Sequence, residues 1–297
     1  MGGALLGIGL RAADLVASLL PRGVAYALAG LIGWSWYRLA PKRRALVTTN
    51  LARVSAATGR PSSGPALRRL VRQAFVEHAR YYLEVLRIPH RSIEHVAAMV
   101  SVDDWEEWEP RLREGAVIAT MHLGNPEPYG SFFAARGLHA VVPIEVIRPR
   151  ALFDFLLARR GTGRGVTLVP LSKARRPMMD ELRRGGIAGV VADRNLAGTA
   201  HRTTLFGAPI SLPTGPASLA LLSGRPLVTA ASWRIGPERF RARAWLIDAP
   251  LSGDRRADVA ALTEAMARRM EEAISVSPEQ WFAAFQPIWD EERVPRG

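Results

Sequence analysis

The sequence predicts an α/β fold: a single domain with a central mixed β-sheet flanked by helices, preceded by an amphipathic helical hairpin. Three observations lead to this prediction. The chain up to Leu86 has helical periodicity, and after Pro89 short apolar runs alternate with helical patterns. In addition, the 297 residues, of which 48% are hydrophobic and 23% charged, suffice to bury a full core and do not indicate a multi-span membrane protein.

The first forty residues predict two helical pieces separated by Pro21, because proline interrupts a helix. The longest uncharged stretch, Gly23–Tyr37, has 15 residues, whereas a bilayer span needs about 20. Its aromatic end is followed by a basic cluster, namely Arg38, Lys42, Arg43 and Arg44. This order predicts membrane-docking helices in residues 1–40, ahead of an α/β domain in residues 41–297. The alternative is a hairpin packed on the protein's own core.

Further along the chain, the stretch RPSSGP at Arg60–Pro65 predicts a loop between two helices. Short apolar runs then predict strands at Ala116–Thr120, Ala140–Ile144, Thr167–Val169, Ile187–Ala192, Leu227–Ala231 and Arg241–Leu246. Helical patterns lie between and after these runs, at residues 126–136, 149–160, 174–184, 215–223 and 257–275. Strands that alternate with helices in this way indicate a sheet with helices on its faces.

The formal net charge of +13 favours anionic partners such as acidic lipid head groups, phosphorylated substrates or nucleic acid. Nearly all of this charge comes from arginine, since only Lys42 and Lys173 are lysines, and it is spread along the whole chain. No zinc-finger spacing, RNP-like pattern or basic heptad region is present, so an anionic membrane surface is favoured over nucleic acid. The chain has no cysteine, which excludes disulfides, thiolate metal sites and a cysteine acyl-enzyme.

The common cofactor and nucleophile motifs do not fit. The glycines of GTGRG at 161–165 precede a predicted strand, so the strand–turn–helix geometry that cradles a dinucleotide is missing. The sequence contains no phosphate-binding G-x-x-x-x-G-K-[ST], no G-x-S-x-G elbow and no H-E-x-x-H. It therefore predicts no cofactor and no catalytic metal.

The segment MHLGNPE at 121–127 places a histidine at the carboxyl end of a predicted strand, where open α/β sheets bind their ligands. Asn125 suits a helix N-cap and Pro126 the first helical position, so the turn can fold Glu127 back towards His122. A histidine oriented by a carboxylate is a general base, and a substrate hydroxyl would be its proton source. The alternative is a loop histidine and a glutamate that only favours the helix dipole.

Several stretches of the chain resemble, in order, the bacterial lipid A lauroyl/myristoyl acyltransferase family, most closely its phosphatidylinositol mannoside acyltransferase branch. Beside the H-x-x-x-x-[DE] box, they are RRALVTTNLARV (43–54), EVIRPRALFDFLLARR (145–160), VVADRNLAGT…LFGAPISLPTGPASLALLSGRPLV (190–228) and PEQWFAAFQPIW (278–289). The resemblance implies a glycerolipid-acyltransferase-like fold. It also implies transfer of a fatty acyl chain from acyl-CoA or acyl carrier protein to a sugar hydroxyl of a glycolipid, namely a mannose of phosphatidylinositol mannoside.

The resemblance also implies roles for individual residues. His122 would be the general base and Glu127 its catalytic partner. Arg159, or else Arg160, would contact the donor or the developing oxyanion, and Asp193 and Arg194 would complete the polar side of the pocket. Asp193 also follows the predicted strand Ile187–Ala192, in agreement with a place at the ligand-binding edge. An internal ion pair is the alternative for Arg194. The enzyme would act at the cytoplasmic face of the plasma membrane.

The chain departs from the family pattern in two places. Arg202 and Thr204 stand where the inositol mannoside branch has acidic residues, and Phe285-Gln286-Pro287 replaces the more basic residues of the lipid A branch. The second departure argues against lipid A as the acceptor. A membrane-surface O-acyltransferase is therefore the first hypothesis, and a non-catalytic lipid-binding relative and a basic nucleic-acid-binding protein are the alternatives.

Overall fold

The computed structural model describes residues 2–146, 148–159, 164–196 and 199–293. Its helices are α1 (Gly2–Leu19), α2 (Arg22–Leu39), α3 (Pro41–Ala57), α4 (Gly64–Arg87), α5 (Ile93–Ala97), α6 (Trp105–Arg113), α7 (Pro128–Ala134), α8 (Arg150–Arg159), α9 (Arg175–Arg183), α10 (Gly215–Ser223), α11 (Arg255–Val276) and α12 (Asp290–Arg293). Its strands are β1 (Val100–Val102), β2 (Ala116–Thr120), β3 (Ala140–Ile144), β4 (Val166–Pro170), β5 (Ile187–Val191), β6 (Ala200–Leu205), β7 (Ala208–Pro213), β8 (Leu227–Gly236) and β9 (Arg239–Leu246). Short 3-10 helices lie at Ile88–His90, Leu171–Lys173, Pro278–Gln280 and Phe282–Phe285.

Seven strands form one sheet in the order β1-β9-β8-β2-β5-β3-β4. The pair β8 and β9 is an antiparallel hairpin, and the other neighbours in this sheet run parallel. Strands β6 and β7 form a separate antiparallel pair. The predicted mixed sheet flanked by helices is therefore confirmed.

The predicted strands agree with the structure at β2 and β3 to the residue, and the hairpin β8–β9 is longer than predicted. Three strands were not predicted. Strand β1 has only 3 residues, too few to show a period of two. Strand β6, AHRTTL, alternates exposed and partly buried side chains and lacks the apolar run used to find strands, and it pairs only with β7.

The two faces of the sheet differ because successive side chains of a strand point to opposite sides. Val117 and Ala119 of β2 belong to the main core, together with the buried tryptophans Trp281 and Trp289. On the other face Ile118 is only partly buried, as are several residues of β3, β4 and β5. One face of the sheet is thus fully covered, and the other leaves a gap.

The N-terminal hairpin has one face that packs on the protein and one apolar face that is exposed. Helix α2 buries Ala25, Tyr26, Ala29 and Gly33, which recur at helical spacing. A Cβ on Gly33 would lie 2.6 Å from the backbone oxygen of Phe75 in α4, so only glycine permits this close packing. Other apolar side chains of α1 and α2 are exposed, including Leu15, Val16, Leu19, Leu28, Leu31 and Ile32. Among the helices of the described residues, none is both long and apolar enough to cross a bilayer.

A buried ion network joins α2 and α4 to the sheet. Arg234 of β8 donates from Nε and Nη2 to Glu84 of α4 at 2.5 and 2.8 Å, and its Nη1 contacts Glu77. Tyr26 of α2 donates its hydroxyl to Glu84 at 2.5 Å. All four residues are buried, so these charges are paired where water cannot solvate them.

Replacing Arg234 with methionine is expected to lower the free energy of unfolding by roughly 3–5 kcal/mol, because it leaves buried carboxylates without their shared cation. Arg241→Met is the matched control, since Arg241 on β9 pairs with Asp103 at 2.7 and 2.8 Å but is exposed. Loss of such an exposed pair should cost about 0–1 kcal/mol. Urea unfolding of both variants tests the difference, and equal losses would contradict it.

Candidate active site

His122 and Asp193 meet because they follow neighbouring strands. Thr120 ends β2 and is paired with Val191, which ends the parallel strand β5, so residues two positions further on emerge at the same edge. The His122 ring nitrogen Nδ1 lies 2.7 Å from Oδ1 of Asp193, and the His122 backbone N–H donates to Oδ2 at 2.9 Å. The carboxylate therefore fixes both the ring and the backbone of the histidine.

In addition to its two hydrogen bonds with His122, Asp193 is held by Trp281. Its Oδ2 also accepts a hydrogen bond from Nε1 of Trp281 at 2.9 Å, and its side chain is fully buried. Burial alone would raise the pKa of Asp193, but the charge of His122 and hydrogen bonds from His122 and Trp281 outweigh it and lower the pKa. Asp193 is accordingly a carboxylate at neutral pH.

This arrangement determines which nitrogen of His122 can react. An ionised carboxylate accepts only, so Nδ1 of the ring carries the hydrogen, and in the neutral ring Nε2 then carries the free electron pair. The His122 side chain is 38% exposed and lines a cavity. The backbone oxygen of His122 accepts from the N–H of Phe282 at 2.6 Å. His122 is thus a histidine of fixed ring orientation whose side chain borders an open space.

The bend after His122 starts its helix later than predicted. Helix α7 begins at Pro128, with Glu127 as the preceding N-cap, so the prediction that Asn125 is the N-cap and Pro126 the first helical residue is wrong. The side chain of Asn125 is used differently: Oδ1 accepts from the backbone N–H of Glu127 at 2.9 Å, and Nδ2 donates to buried Glu84 at 2.8 Å. This Asx turn keeps the chain non-helical for two more residues.

Gly124 allows the bend to pack against β8. Its φ is +62°, and a Cβ there would lie 2.3 Å from the backbone oxygen of Ser232. Its N–H donates to the backbone oxygen of Gln280 at 3.0 Å, and the side chain of Gln280 is bonded to the backbone of Arg234. The loop that carries His122 is therefore tied to the sheet and to the C-terminal segment.

Glu127 lies beside His122 in the same cavity, but the nitrogen Nδ1 of the ring is held by Asp193. Oε1 of Glu127 accepts from the hydroxyl of Tyr81 at 3.3 Å. The expected partner of the histidine was Glu127, five residues away. The residue that orients its ring in the structure is 71 residues away in the sequence.

An apolar cavity of about 270 Å³ adjoins His122. Its floor is the less covered face of the sheet, formed by Ile118, Thr120, Val142, Ile144, Leu168, Gly189 and Val191. Tyr129, Gly130 and Phe133 of α7 form a wall, and His122, Glu127 and Tyr81 also line it. A Cβ on Gly189 would lie 3.0 Å from Cγ2 of Val142, so glycine at this position keeps the floor open.

The other predicted site residues are placed less completely. Arg159 ends helix α8, and its side chain and the whole of Arg160 lie outside the described residues. Arg194 directly follows Asp193, is partly buried, and its Nε has no hydrogen-bond partner among the residues described. Among the residues that the structure describes, Arg194 forms no ion pair with a carboxylate. Arg202 stands where an acidic residue was expected, and its Nε lies 3.7 Å from Oδ2 of Asp290.

Sequence reasoning missed Trp281, Tyr81 and Asn125 as parts of this site. Trp281 lies in the PEQW motif that carried the family resemblance, so a signal for it existed, although not for its role. Within the described ranges, no group of three or more histidine, aspartate and glutamate side chains could hold a metal ion.

Comparisons with known proteins point to one family. The sequence matches the family model described as bacterial lipid A biosynthesis acyltransferase over residues 4–290. It is 29% identical over 222 residues to the phosphatidylinositol mannoside acyltransferase of Mycobacterium tuberculosis, a match that covers 71% of this chain and 67% of the relative. It is 26% identical over 240 residues to the enzyme of the same name from Mycolicibacterium smegmatis, covering 77% and 76%.

Among solved structures, the fold is similar to that of the 1-acyl-sn-glycerophosphate acyltransferase PlsC from Thermotoga maritima. This match has a TM-score of 0.35 and 12% identity, and it covers 85% of this chain and 98% of the other. The likeness is too low to inform on the reaction. The family model, in contrast, spans nearly the whole chain, including His122 and Asp193. The chain therefore belongs to the bacterial lipid A biosynthesis acyltransferase family and is an O-acyltransferase.

Proposed function

We propose that this enzyme transfers a fatty acyl chain from acyl-CoA or acyl carrier protein to a sugar hydroxyl of a glycolipid at a membrane surface. The acceptor we propose is a mannose of phosphatidylinositol mannoside. The observation that carries the proposal is the partly exposed side chain of His122, oriented by buried Asp193, beside an apolar cavity. The names of the mycobacterial relatives support the choice of acceptor.

The proposed reaction is a single acyl transfer. Nε2 of His122 takes the proton of the acceptor hydroxyl as its oxygen attacks the thioester carbonyl, and the new C–O bond replaces the C–S bond. The leaving thiolate then takes the proton from the imidazolium. Asp193 stabilises that imidazolium and keeps Nδ1–H pointing towards itself. No enzyme nucleophile is required, in agreement with the absence of cysteine.

The donor would place its acyl chain in the apolar cavity and its polar part at the open edge. Arginine suits the donor phosphates and the developing oxyanion because its guanidinium presents several donors to an anion. Arg194 is the described candidate, because its partly buried side chain follows Asp193 directly. We also assign Arg159, with Arg160 as the substitute, to the donor side on the family resemblance.

Gly189→Val tests the assignment of the cavity to the acyl chain. The added side chain would occupy space above the floor next to Val142 and displace about two methylene groups of a long chain. At about 0.8 kcal/mol for each, the KM for palmitoyl-CoA should rise roughly tenfold. Octanoyl-CoA, whose acyl chain is half as long as palmitoyl, is the control substrate. An equal rise for both donors, at an unchanged melting temperature, would contradict the assignment.

The proposed membrane contact uses the exposed apolar face of α1 and α2. Leu19, Leu31 and Ile32 are among its exposed members, and Arg38 lies 5.4 Å from the ring of Trp34 at its basic end. Apolar side chains that enter the head-group region beside arginines that meet phosphates give binding to anionic bilayers. Such docking would bring the edge of the sheet close to lipid-borne acceptors.

An acyl-transfer assay tests the proposal as a whole. The protein is incubated with radiolabelled palmitoyl-CoA and anionic vesicles that contain phosphatidylinositol mannosides, and the lipids are extracted and separated. The expected product is a labelled mannoside lipid whose label is released by mild alkali, and the protein should float with the vesicles. Vesicles in which lysophosphatidic acid replaces the mannosides are the control. Label on that acceptor alone, or on no lipid, would refute the proposed function.

A further inference from the structure

Four aromatic rings form a shelf next to His122: Tyr81, His78 and Tyr82 of α4, and Phe282. The rings of Tyr82 and His78 are stacked with centroids 5.1 Å apart at 11°, and those of His78 and Phe282 at 4.6 Å and 15°. The ring centroid of Tyr81 lies 5.3 Å from the ring centroids of both Tyr82 and Phe282. Because Phe282 is bonded through its N–H to the backbone of His122, the aromatic shelf is fixed relative to the base.

The aromatic shelf has an exposed side and an edge in the cavity. Tyr82 is 48% exposed, although it is a large aromatic residue and its neighbours on α4, residues 76–81 and 83–87, are at least partly buried. Tyr81 lines the cavity together with His122, and its hydroxyl meets the carboxylate of Glu127 at 3.3 Å. An aromatic surface, exposed at Tyr82, and a carboxylate thus lie close together, and Tyr81 and Glu127 line the same cavity as His122.

The aromatic shelf carries no charge at neutral pH. Burial, with smaller contributions from the positive charges of His122 and Arg43, lowers the pKa of His78 to about 3. His78 is therefore a neutral ring between Tyr82 and Phe282. The face of the shelf is that of uncharged π-systems, which carry partial negative charge on their faces.

These features match the chemistry of a sugar ring. One face of a pyranose presents C–H groups of partial positive charge, which fit the faces of aromatic rings, and its hydroxyls donate to a carboxylate. We infer that Tyr81, Tyr82 and Glu127 form the subsite that binds the pyranose ring of the acceptor, an inference that rests on the proposed function. Glu127 then binds acceptor hydroxyls, while Asp193 alone orients His122.

The position of the aromatic shelf suits an acceptor anchored in a membrane. Trp36 of helix α2 lies against His78 with ring centroids 5.4 Å apart, so the shelf sits between the N-terminal hairpin and the cavity. A sugar attached to a lipid in the bilayer on which α1 and α2 dock would reach the shelf before His122. Glycerol-based acceptors have no ring to stack and gain nothing from this surface.

Binding measurements without an acyl donor test the subsite separately from catalysis. Titration calorimetry with octyl α-D-mannopyranoside, below its micelle concentration, is carried out on wild type, Tyr82→Leu and Tyr82→Phe. Leucine keeps apolar bulk but removes the ring, so we expect binding to weaken roughly tenfold, which corresponds to about 1.4 kcal/mol. Phenylalanine keeps the ring and should bind within about twofold of wild type. Octyl glycerol, which has the same chain and no ring, should bind equally to all three proteins.

The outcomes separate the subsite from the proposed function. If Tyr82→Leu binds the mannoside as tightly as wild type, or weakens mannoside and octyl glycerol alike, the sugar subsite is refuted. If Tyr82→Leu binds the mannoside about tenfold more weakly than wild type, but wild type transfers no acyl group to a mannoside, the subsite stands and the proposed function fails. If transfer occurs and the acceptor KM is the same in wild type and Tyr82→Leu, the function stands and the subsite fails.

Discussion

Replacement of His122 with alanine is expected to lower the rate of acyl transfer by a factor of roughly 10² to 10⁴, the range that a positioned general base contributes. The variant loses the only group at the cavity edge that we assign to take the proton of the acceptor hydroxyl. The transfer of labelled palmitate to phosphatidylinositol mannosides measures the effect. Because the ring is 38% exposed, its removal leaves no buried void of comparable size, and the protein should remain folded.

His95→Ala is the matched control, because His95 is an exposed histidine of helix α5. It should keep the wild-type rate. Vesicle flotation and the melting temperature show whether each variant still folds and docks. Wild-type turnover by a folded His122→Ala protein would rule out the proposed mechanism, since no other residue is assigned the role of base.

Asp193→Asn is expected to lower the rate by roughly 10³ to 10⁴ with little change in shape, as in other enzymes where an amide replaces the carboxylate behind a histidine. The oxygen of asparagine can still accept from Trp281, which donates to Oδ2 of Asp193 in the structure. Its amide nitrogen, however, would face Nδ1 of His122 as a donor. The ring then carries its hydrogen on Nε2, so it cannot take a proton there.

The companion variant Glu127→Gln shows which of the two carboxylates, Asp193 or Glu127, orients the ring of His122. If Asp193 orients the ring, as the distance of 2.7 Å supports, Glu127→Gln should raise the acceptor KM and reduce kcat far less than Asp193→Asn does. Steady-state kinetics at varied mannoside concentration separates the two effects. A larger loss of kcat in Glu127→Gln than in Asp193→Asn would return the role of partner to Glu127.

The local pattern was sufficient for much of the fold. Strands β2 and β3 were predicted to the residue, because a compact apolar run bounded by turn residues has little alternative in an α/β chain. Strand β1 and the β6–β7 hairpin were missed, because three residues show no period and a half-polar strand shows no apolar run. The start of α7 was misplaced because Asn125 bonds to distant Glu84 as well as to its own loop.

The sequence predicted where His122 and Asp193 lie in the candidate site, but it did not predict that they contact each other. His122 and Asp193 could each be placed at a strand end from the apolar run before it. That they touch depends on β2 and β5 being neighbours, although α7, β3, α8, β4 and α9 lie between them in the chain. The order of strands in a sheet is decided by the packing of helices on its faces, which no short window of sequence contains.

The sequence by itself determined the fold class, the family resemblance and the place of the candidate base at a strand end, because these depend on periodicity, turn residues and short motifs. Only the tertiary structure decided that Asp193 orients His122, that Glu127 meets Tyr81 and that glycine at 189 keeps an apolar cavity open. The physical reason is that each of these contacts joins residues far apart in the chain, or depends on how closely neighbouring strands pack. Their distances are set by the assembled core as a whole.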